Sequence, residues 1–572
     1  MMRNAMLIAA LAALHTAGCS VIVGSTVNDT CATNDDCKAL GFPNATCNQT
    51  SKVCEPTGGG AKCTSDTDCT DAALPHCDAN GVCVAAVGCE TAEDCMPNGD
   101  SPPAICRADK TCAQLTTPDC AQVLGGDAYK DPNALILGFL GPLVGTDAST
   151  GIPIHNGAKL AMHEIETNAV GLPGGANGQP RPIAMVCCDD LSAPMDNPRR
   201  AAKHLVSDVG VPAILGPAFS GITIDTAKSV TVPAGVLTIS ASATSPSITD
   251  LADNGLVWRT CPSDAVQAVP IAGLVTPIEA QVRSEQMLMA SDQIRVAIAV
   301  KGDAYGTGLA DAVTPQLTFN GKAAADNGDN FKRLDYPDTS GNENPDFSAI
   351  VQGILDMKPQ VVLLFGTTET AKFLFPAIEA AWGDLNPMPP RPYYIFPDGG
   401  KVPELTAAIG SDDDRRKRVR GTVPGVASSL YGAFKLRYKA YINDDPLAYA
   451  DTAYDAMYLL AYGMLAVGDK PITGVAISDA LKKMSKGTVI DAGPSSINKA
   501  FQAVQASGEI DYNGASGPLN FDPKTGEAKA DIDIWCIGRN AAMDPVFLSS
   551  GQHYDATANQ LVGTYNDQGQ CN

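Results

Sequence analysis

Histidine is scarce in this sequence, with six residues among 572, and none of them has the spacing typical of a metal site. The His-Glu-x-x-His motif of zinc hydrolases is absent, as is the Gly-x-Ser-x-Gly turn that presents a nucleophilic serine. No stretch combines a nucleophile with a base. We therefore expect no catalytic residue, no bound metal and no cofactor, and a binding protein rather than an enzyme.

Positive charge is also in short supply. The 40 Lys and Arg residues are outnumbered by 63 Asp and Glu residues, which gives a net charge of −23. Nucleic-acid binding needs basic residues concentrated enough to neutralise phosphates, so we expect no nucleic-acid partner. The one basic run, Arg415-Arg416-Lys417-Arg418, directly follows Asp412–Asp414, and we expect it to form a solvated, self-compensating loop.

Long apolar runs are missing as well. No segment after the N-terminus reaches 18 uninterrupted apolar residues, so we expect no membrane span in the mature protein. The N-terminus has the pattern of a secretory signal, with Arg3 followed by a short apolar core, Met6–Leu14. We expect residues 1–18 to be a signal peptide and the protein to be exported.

The end of this signal resembles a bacterial lipobox, Ala17-Gly18-Cys19-Ser20, although Thr16 stands where a Leu-like residue is usual. We expect Cys19 to carry a lipid that holds the protein at the periplasmic face of a bacterial membrane or at the cell surface. Residues 19–30 would be a linker. Removing Cys19 leaves 18 of the 19 cysteines, an even number that suits disulfides in an oxidising compartment.

Twelve cysteines form three similar units within residues 31–112, which open CATNDDC, CTSDTDC and CETAEDC. Units of roughly 30 residues cannot bury a hydrophobic core, so we expect two disulfides in each, worth about 2–4 kcal/mol per bridge. The spacing is wider than that of zinc-binding pairs, and the connectivity stays open. The Asp before each second cysteine is expected to cap a turn, with calcium binding as the alternative. The disulfide candidates are Cys31, Cys37, Cys47, Cys54, Cys63, Cys69, Cys77, Cys83, Cys89, Cys95, Cys106 and Cys112.

Strand and helix patterns alternate from about Leu135 to the C-terminus. Amphipathic stretches such as Asn156–Ile165 and Ala201–Asp208 separate the apolar runs, which predicts an α/β fold with parallel sheets. Nearly 440 residues are too many for one such sheet, so we expect two lobes. The predicted strands are Ala134–Phe139, Ile183–Val186, Ala213–Leu215, Val236–Ile239, Arg295–Val300, Val361–Phe365 and Tyr393–Phe396.

Two neighbouring strands within Ile214–Thr249 are each followed by a loop rich in Ser, Thr and Gly. Ligands of open α/β sheets lie at the carboxyl ends of strands, where backbone N–H groups point outward. These two loops therefore predict a shelf that receives an anionic group.

Several phrases in order resemble the periplasmic binding proteins for Leu, Ile and Val, over about residues 133–560. They are GFLGPLVGTDASTGIPIHNGAKLAMHEIE, ILGPAFSG, TISASATSPSIT, VKGDAYGTGLADA, FPDGG, YADTAYDAMYLLAYGM and GPLNFDPKTGEAKADIDIWCI. The resemblance implies a Venus-flytrap fold, in which two Rossmann-like lobes are joined by three crossovers and close on a ligand.

The resemblance also suggests domain limits. After a linker at 113–132, lobe 1 would span about 133–262 and 423–522. Lobe 2 would span about 265–421 and 523–572, with crossovers near Pro262–Asp264, near Gly421–Gly425 and after Asp522.

The family's ligand contacts carry over to seven positions. In the first lobe, Ser220 matches the serine that binds an α-carboxylate, and Ser242 and Thr244 match positions that bind through the backbone, with the Thr hydroxyl adding a contact. Ordinary loop capping by Ser and Thr is the alternative.

In the second lobe, Asp398 matches the acidic residue that binds the α-ammonium, although Asp is one methylene shorter than the family's Glu. A simple turn in PDGG is the alternative. Thr150, Tyr305 and Thr367 match positions that face the ligand's side chain or close the cleft. Thr367 stands where the family often has an aromatic residue, which leaves the ligand's identity open.

Six further cysteines accompany the lobes, so three bridges can be drawn: Cys120, Cys187, Cys188, Cys261, Cys536 and Cys571. We expect Cys536 to pair with Cys571, since both lie in the C-terminal region, and we do not favour a strained bridge between Cys187 and Cys188.

The resemblance implies a monomeric, lipid-anchored solute-binding protein of an ABC importer. It would bind an amino acid of branched-chain type, or a similar small polar solute, and present it to an ABC permease. Its contact with the membrane would be through the lipid alone. The alternative is a ligand-sensing surface receptor, in which the cysteine-rich repeats are a partner-binding module.

Overall fold

The computed structural model describes most of the chain from Cys31 onward and divides it into two units, Met1–Ala85 and Ala86–Asn572. The signal sequence, Cys19, the linker at 19–30 and Cys37 lie outside the described residues. Described are residues 31–33, 35–36, 45–47, 52, 54–56, 63, 68–69, 76–77, 82–84, 88–96, 101–175, 178–190, 196–425, 428–566 and 569–571.

The first unit consists of small disulfide-bonded hairpins. Strands β1 (Ala45–Cys47) and β2 (Cys54–Pro56) pair antiparallel, as do β3 (His76–Cys77) and β4 (Cys83–Val84). The bridges join the first cysteine of a repeat to the third and the second to the fourth: Cys31–Cys47, Cys63–Cys77 and Cys69–Cys83. The repeat therefore has one connectivity, which its spacing alone had left open.

The second unit contains the remaining strands. They are β5 (Ala104–Cys106), β6 (Cys112–Gln114), β7 (Gln122–Leu124), β8 (Leu135–Gly141), β9 (Ile183–Asp189), β10 (Ala213–Leu215), β11 (Leu237–Ser240), β12 (Val257–Arg259), β13 (Val296–Gly302), β14 (Thr318–Phe319), β15 (Lys322–Ala323), β16 (Phe331–Pro337), β17 (Val361–Phe365), β18 (Tyr393–Phe396), β19 (Val419–Pro424), β20 (Thr488–Asp491), β21 (Ile510–Asn513), β22 (Phe521–Asp522), β23 (Glu527–Ala528), β24 (Ile532–Arg539), β25 (Pro545–Asp555) and β26 (Gln560–Gly563). All seven strands predicted from apolar runs are present. Three have the predicted bounds, and the ends of the other four are shifted by at most three residues.

The same unit contains the described α-helices. They are α1 (Ala148–Ala169), α2 (Asp196–Lys203), α3 (Ser220–Thr226), α4 (Asp264–Glu285), α5 (Ala304–Val313), α6 (Ser348–Met357), α7 (Phe375–Gly383), α8 (Pro403–Ile409), α9 (Asp413–Lys417), α10 (Ser429–Ile442), α11 (Ala450–Val467), α12 (Gly474–Leu481) and α13 (Ile497–Ser507). Three π-helical segments extend this set: His204–Val209 after α2, Ala227–Thr231 after α3 and Thr370–Leu374 before α7.

Two eight-stranded sheets define two lobes. The first has the order β22-β23-β12-β11-β10-β8-β9-β7, and the second has the order β16-β13-β17-β18-β19-β24-β25-β26. The central strands of both sheets run parallel, because each is followed by a helix that returns the chain across the sheet. The predicted α/β fold with two Rossmann-like lobes is therefore confirmed.

The chain passes between the two sheets three times: between β12 and α4, between β19 and α10, and between β23 and β24. The last passage comes after Ala528, later than the Asp522 boundary that the resemblance suggested, because β22 and β23 both pair within the first sheet. Short connections of this kind are where a two-lobed protein can bend.

The third cysteine repeat belongs to the second unit. It has the same two bridges, Cys89–Cys106 and Cys95–Cys112, around the hairpin β5–β6. Its recurring Asp94 accepts hydrogen bonds from the backbone N–H groups of Glu90 and Thr91, both at 2.8 Å, so the Asp caps a turn. Asp36 caps the first repeat in the same way.

Residues 113–132, which we expected to be a linker, are instead part of the first lobe. Strand β7 pairs antiparallel with β9 at the edge of the sheet, and Cys120 is disulfide-bonded to Cys188 of β9. The segment is polar and short, so its sequence shows no periodicity, and its structure comes from the bridge and the edge pairing.

The six remaining cysteines form two disulfides and not the three that their number allowed. Cys536 and Cys571 are joined, whereas Cys187 and Cys261 are free thiols, each fully buried. With Cys188 bonded to Cys120, the vicinal pair is not a bridge.

The basic run is not a solvated loop. It lies in and after helix α9, and the side chains of Arg416 and Arg418 are buried. Arg418 donates to both carboxylate oxygens of Glu379 at 2.8 Å. A buried guanidinium requires such a partner, and Glu379 lies on α7, far from the run in sequence.

One helix among the described residues, α4, is long and apolar enough to cross a bilayer, with a mean hydropathy of 1.2 over its best window. Half of that window is buried, and the helix packs Ile271, Val275 and Ile278 into the core of the second lobe. We read α4 as a core helix.

Candidate functional site

A small cavity lies between the two lobes at the carboxyl ends of their strands. Its volume is about 20 Å³, close to the space that one water molecule needs, so the lobes are closed on one another. The first lobe also meets the second where the Ser149 hydroxyl lies 3.4 Å from the Thr368 hydroxyl. The lining residues are Thr150, Ala218, Phe219, Ser220, Ser242, Tyr305, Thr367, Asp398, Gly399 and Tyr449.

Six of the seven residues singled out in the sequence line this cavity: Thr150, Ser220, Ser242, Tyr305, Thr367 and Asp398. The seventh, Thr244, does not line it. Thr244 is fully buried behind the shelf, where its carbonyl accepts the N–H of Asp264 at 2.8 Å. Which of these residues contact a ligand remains a prediction.

Ser220 and Ser242 follow β10 and β11, the two strands whose ends we expected to form a shelf. The Ser220 hydroxyl oxygen accepts the N–H of Ser245 at 3.1 Å, which leaves its own proton available for an acceptor. The Ser242 hydroxyl donates to the carbonyl of Ala218 at 2.8 Å. Ser242 therefore uses its side chain to fix the loop and has mainly its backbone to offer a ligand.

Asp398 comes directly after β18 and faces the shelf from the second lobe. Its carboxylate accepts hydrogen bonds from Gln267 at 2.7 Å, from Tyr305 at 2.9 Å and from Tyr449. All three donors are neutral. Burial raises the pKa of Asp398, and the hydrogen bonds oppose that shift.

A second buried carboxylate, Asp264, lies at the start of α4. Neither of its oxygens has a hydrogen-bond partner among the described residues. Burial raises its pKa well above the usual range, and the nearby charge of Asp398 raises it further. Two carboxylates therefore lie on this side of the cleft, and no cation among the described residues is in hydrogen-bond contact with either of them.

Thr367 is held by a buried ion cluster. Its hydroxyl donates to Glu369 at 2.6 Å and lies 3.1 Å from the ammonium of Lys301. Burial alone would lower the pKa of Lys301, but the carboxylates of Glu369, Asp303 and Asp338 together raise it. Thr367 is therefore fixed in one orientation, and its hydroxyl is already occupied.

The Thr150 hydroxyl is in the opposite situation. It is buried at the cavity and has no hydrogen-bond partner among the described residues. A buried hydroxyl without a partner loses free energy, so it favours a ligand that brings a polar group to this wall.

Sequence reasoning missed four residues at this site: Phe219, Gln267, Asp264 and Tyr449. Phe219 and Tyr449 line the cavity, and Gln267 and Tyr449 bond to Asp398. A signal existed for Tyr449, which is the first residue of the phrase YADTAYDAMYLLAYGM and immediately precedes α11. In the structure its φ is 69°, an uncommon value for a non-glycine residue. Gln267 and Asp264 lie on α4 with no local motif to mark them.

The geometry joins two unlike groups across one cavity. Hydroxyl and backbone donors lie on the first lobe, and an anionic carboxylate lies on the second. Such an arrangement can hold a small solute between the lobes, and the fold defines the class as two-lobed solute-binding proteins.

The chain belongs to the periplasmic binding protein family, whose model matches residues 135–534. The resemblance found in the motifs is confirmed. The family consists of solute-binding proteins that act outside the cytoplasm.

Two relatives show how the similarity is distributed. The Leu/Ile/Val-binding protein BraC3 of Rhizobium johnstonii is 31% identical over 234 residues, which is 41% of this chain and 54% of that protein. The chain thus spans about half the length of this relative. The chemotactic signal transduction system substrate-binding protein BasB of Halobacterium salinarum is 26% identical over 361 residues, 62% of this chain and 76% of that protein.

Solved structures show the same fold. The leucine-binding protein LivK of Thermotoga maritima has a TM-score of 0.53 at 17% identity, covering 73% of this chain and 98% of that one. LivJ of Streptococcus pneumoniae, solved with isoleucine, has a TM-score of 0.52 at 19% identity, covering 73% and 100%. A solute-binding protein of Rhodopseudomonas palustris, solved with 3,4-dihydroxybenzoic acid, has a TM-score of 0.53 at 18% identity, covering 74% and 98%.

Proposed function

We propose that the protein binds an amino acid, or a similar small zwitterion, in the cleft between its lobes and delivers it to an ABC importer. The observation that carries this proposal is the position of Asp398 opposite Ser220 across a single cavity. A ligand with one ammonium and one carboxylate group matches that pair of opposed walls.

The ligand's ammonium would give Asp398 the cationic partner that it does not have among the described residues. This buried carboxylate receives only neutral hydrogen bonds, and hydrogen bonds between two ionised groups are roughly twice as strong as neutral ones. A ligand ammonium would also offset the burial that raises the pKa of Asp398.

The carboxylate would lie on the first lobe. The Ser220 hydroxyl retains a free proton, and the loops after β10 and β11 place backbone N–H groups nearby. The cavity must widen to admit such a ligand, so binding is coupled to opening and closing of the lobes.

Relatives support the amino-acid class. Two of them are named Leu/Ile/Val-binding proteins, and one structural neighbour was solved with isoleucine. Another neighbour was solved with an aromatic acid. Because Thr150 brings a hydroxyl without a partner among the described residues to the side-chain end of the cavity, a polar amino acid belongs in the screen beside the branched-chain ones.

In this proposal the protein is exported, anchored through a lipid on Cys19, monomeric, and paired with an ABC permease. The anchor rests on the lipobox-like sequence around Cys19. Metabolic labelling with a palmitate analogue tests it, and loss of label in Cys19→Ala is the expected result.

A thermal-shift screen of the full chain against amino acids and small carboxylates tests the ligand class. A ligand at 100 times its dissociation constant should add about 2.7 kcal/mol to the free energy of unfolding. We expect Asp398→Ala to weaken the response more than Thr367→Ala. Asp346→Ala, which removes an exposed carboxylate of the same lobe, is the control. Failure of every zwitterion would refute the amino-acid proposal.

Sensing is a second candidate function. Of the two relatives described above, the one that covers the larger share of this chain is named a chemotactic signal transduction system substrate-binding protein, and the third cysteine repeat adds a disulfide-bonded surface to the first lobe. Cross-linking of ligand-loaded protein in its native membrane separates the two functions. A permease among the products supports import, and a transmembrane signalling receptor supports sensing.

A further inference from the structure

The second lobe contains a groove of about 1480 Å³ that is separate from the cleft. It lies between the later half of α4, the ends of β18 and β19, and the C-terminal hairpin β25–β26. None of its lining residues lines the cleft cavity. Typical small-molecule sites occupy roughly 300–1,000 Å³, so this groove has room for a ligand of that size.

Arg420 is the central basic residue of the groove. It projects from β19 with 5% of its surface exposed. Its guanidinium lies 5.5 Å from the ring centre of Tyr393 and 4.7 Å from that of Tyr565. One amino group donates to the side-chain oxygen of Gln281 at 3.2 Å, and the Nε–H has no partner among the described residues.

No carboxylate among the described residues forms an ion pair with Arg420. Arg418, which immediately precedes β19, differs in this respect, because it is paired with Glu379 and Asp414. Glu285, also in the groove, is occupied by Tyr393 at 2.7 and 2.8 Å and by Gln281 at 2.9 Å. A buried guanidinium without a counter-ion is unfavourable, and proteins retain such groups mainly where they serve a purpose.

The rim of the groove adds to the positive potential. Lys417 lines it with an exposed side chain. Of the other three basic residues that line the groove, Arg391 and Arg418 are paired with Glu379, so Lys417 and Arg420 supply the positive charge that no carboxylate of the described residues pairs. In a chain with a net charge of −23, this local excess of positive charge selects for negatively charged ligands. The unused edge of a guanidinium is a planar fork of N–H donors that fits an oxyanion.

We propose that this groove is a second ligand site, which binds a small organic oxyanion through Arg420 with Lys417 at its rim. The oxyanion is a carboxylate or a phosphate, since both accept hydrogen bonds from the same fork. The aromatic rings beside Arg420 exclude water from one side of the contact and so strengthen it.

Titration calorimetry of the full chain with citrate and with glycerol 3-phosphate, at constant ionic strength, tests this site and distinguishes the two sources of the oxyanion. We expect at least one probe to bind with a measurable heat. Arg420→Gln should abolish that binding. Lys417→Gln, at an exposed side chain with no ion pair among the described residues, should weaken it about two- to fivefold.

Arg333→Gln is the matched control, because Arg333 lies on β16 at the opposite edge of the same sheet and its loss changes the net charge equally. It should leave probe binding unchanged. Circular dichroism establishes that each variant is folded. Absence of binding by both probes overturns the proposal. Binding that survives Arg420→Gln and Lys417→Gln in the folded protein, or that falls equally in Arg333→Gln, overturns it too.

Discussion

Tyr449 of the first lobe donates a hydrogen bond to Asp398 of the second lobe, so the residue proposed to bind the ammonium also links the two halves of the cleft. Tyr449 is buried and immediately precedes α11, whereas Asp398 follows β18. This bond exists only when the lobes are closed. The Asp398 carboxylate therefore accepts the hydrogen bond that joins the closed lobes and is also the group proposed to bind the ligand's ammonium.

Tyr449→Phe is expected to favour the open state. Removing a hydrogen bond to a charged group costs about 1.5–3 kcal/mol, which corresponds to at least tenfold weaker ligand binding if closure is required. Small-angle scattering of the unliganded variant should give a larger radius of gyration than the wild type.

Tyr305→Phe is the matched control for this prediction. Tyr305 donates to the same carboxylate at 2.9 Å, but both residues belong to the second lobe. Its loss should weaken ligand binding without changing the radius of gyration. Equal scattering curves for Tyr449→Phe and the wild type would contradict the role of Tyr449 in closure.

Part of this site could be predicted from the sequence, and the part that could be predicted depends on where each site residue lies in the chain. Ser220, Ser242 and Asp398 could be predicted because each follows a strand within a recognisable phrase, and the structure places all three on one cavity. Gln267 and Tyr449 reach the site from α4 and α11, and their contribution depends on how the lobes close. No pattern local to one segment encodes that arrangement.

His155 gives the first lobe a predictable sensitivity to acid. Its ring is buried in α1 against Phe139, 5.3 Å between ring centres, and its Nε2 has no partner among the described residues. Burial, with a smaller effect of Lys159, lowers the pKa of His155 from 6.5 to about 4. Folding therefore favours the neutral form of His155. Its contribution to the free energy of unfolding is complete above pH 6.5 and is lost as the pH falls toward 4, because the unfolded chain then binds the proton more tightly than the folded one.

The wild-type free energy of unfolding should fall by about 3 kcal/mol from this group alone between pH 6.5 and pH 4. His155→Leu should remove that part of the slope, measured by urea unfolding across this range. His163→Gln, at a partly exposed position stacked on Tyr441, serves as the control. An unchanged slope in His155→Leu would refute the assignment.

The third cysteine repeat should stabilise the first lobe. The Arg107 guanidinium donates to the carbonyls of Ser207 and Asp208 at 3.3 and 3.2 Å, and it bonds to Thr111 within the repeat. Arg107→Gln should lower the free energy of unfolding by about 1–3 kcal/mol, because the charged guanidinium's hydrogen bonds to two carbonyls of the first lobe and to Thr111 are lost together. Lys110→Gln breaks an exposed pair with Glu90 and should cost less than about 1 kcal/mol.

A thermal scan of both variants makes this comparison. Equal melting temperatures would show that the repeat does not contribute to the lobe's stability. The same contacts explain why the predicted linker failed: the stretch from 113 to 132 acquires its structure from partners in the first lobe, including Cys188, and not from its own pattern.

Some strands of the fold could likewise be predicted from the sequence, and others could not. Strands such as β13 and β17 are continuous apolar runs buried on both faces, and the sequence alone located them. The antiparallel strands β25 and β26 form the far edge of the second sheet, and neither was predicted. Strand β25 is mostly half-buried with one short apolar run, Val546–Leu548, and β26 is exposed. Their place depends on pairing with β24, which residues distant in sequence decide.

The two free thiols should be inaccessible in the folded protein. Cys187 and Cys261 are fully buried, and burial raises the pKa of both, which disfavours the reactive thiolate. Iodoacetamide should label neither cysteine at pH 8 and both after unfolding in guanidinium without reductant, as read by peptide mass spectrometry. Peptides containing Cys536 and Cys571 should stay linked in both conditions, because that pair is a disulfide. Labelling of Cys187 in the native protein would mean that the edge of the first sheet, where β7 covers β9, opens on the timescale of the reaction.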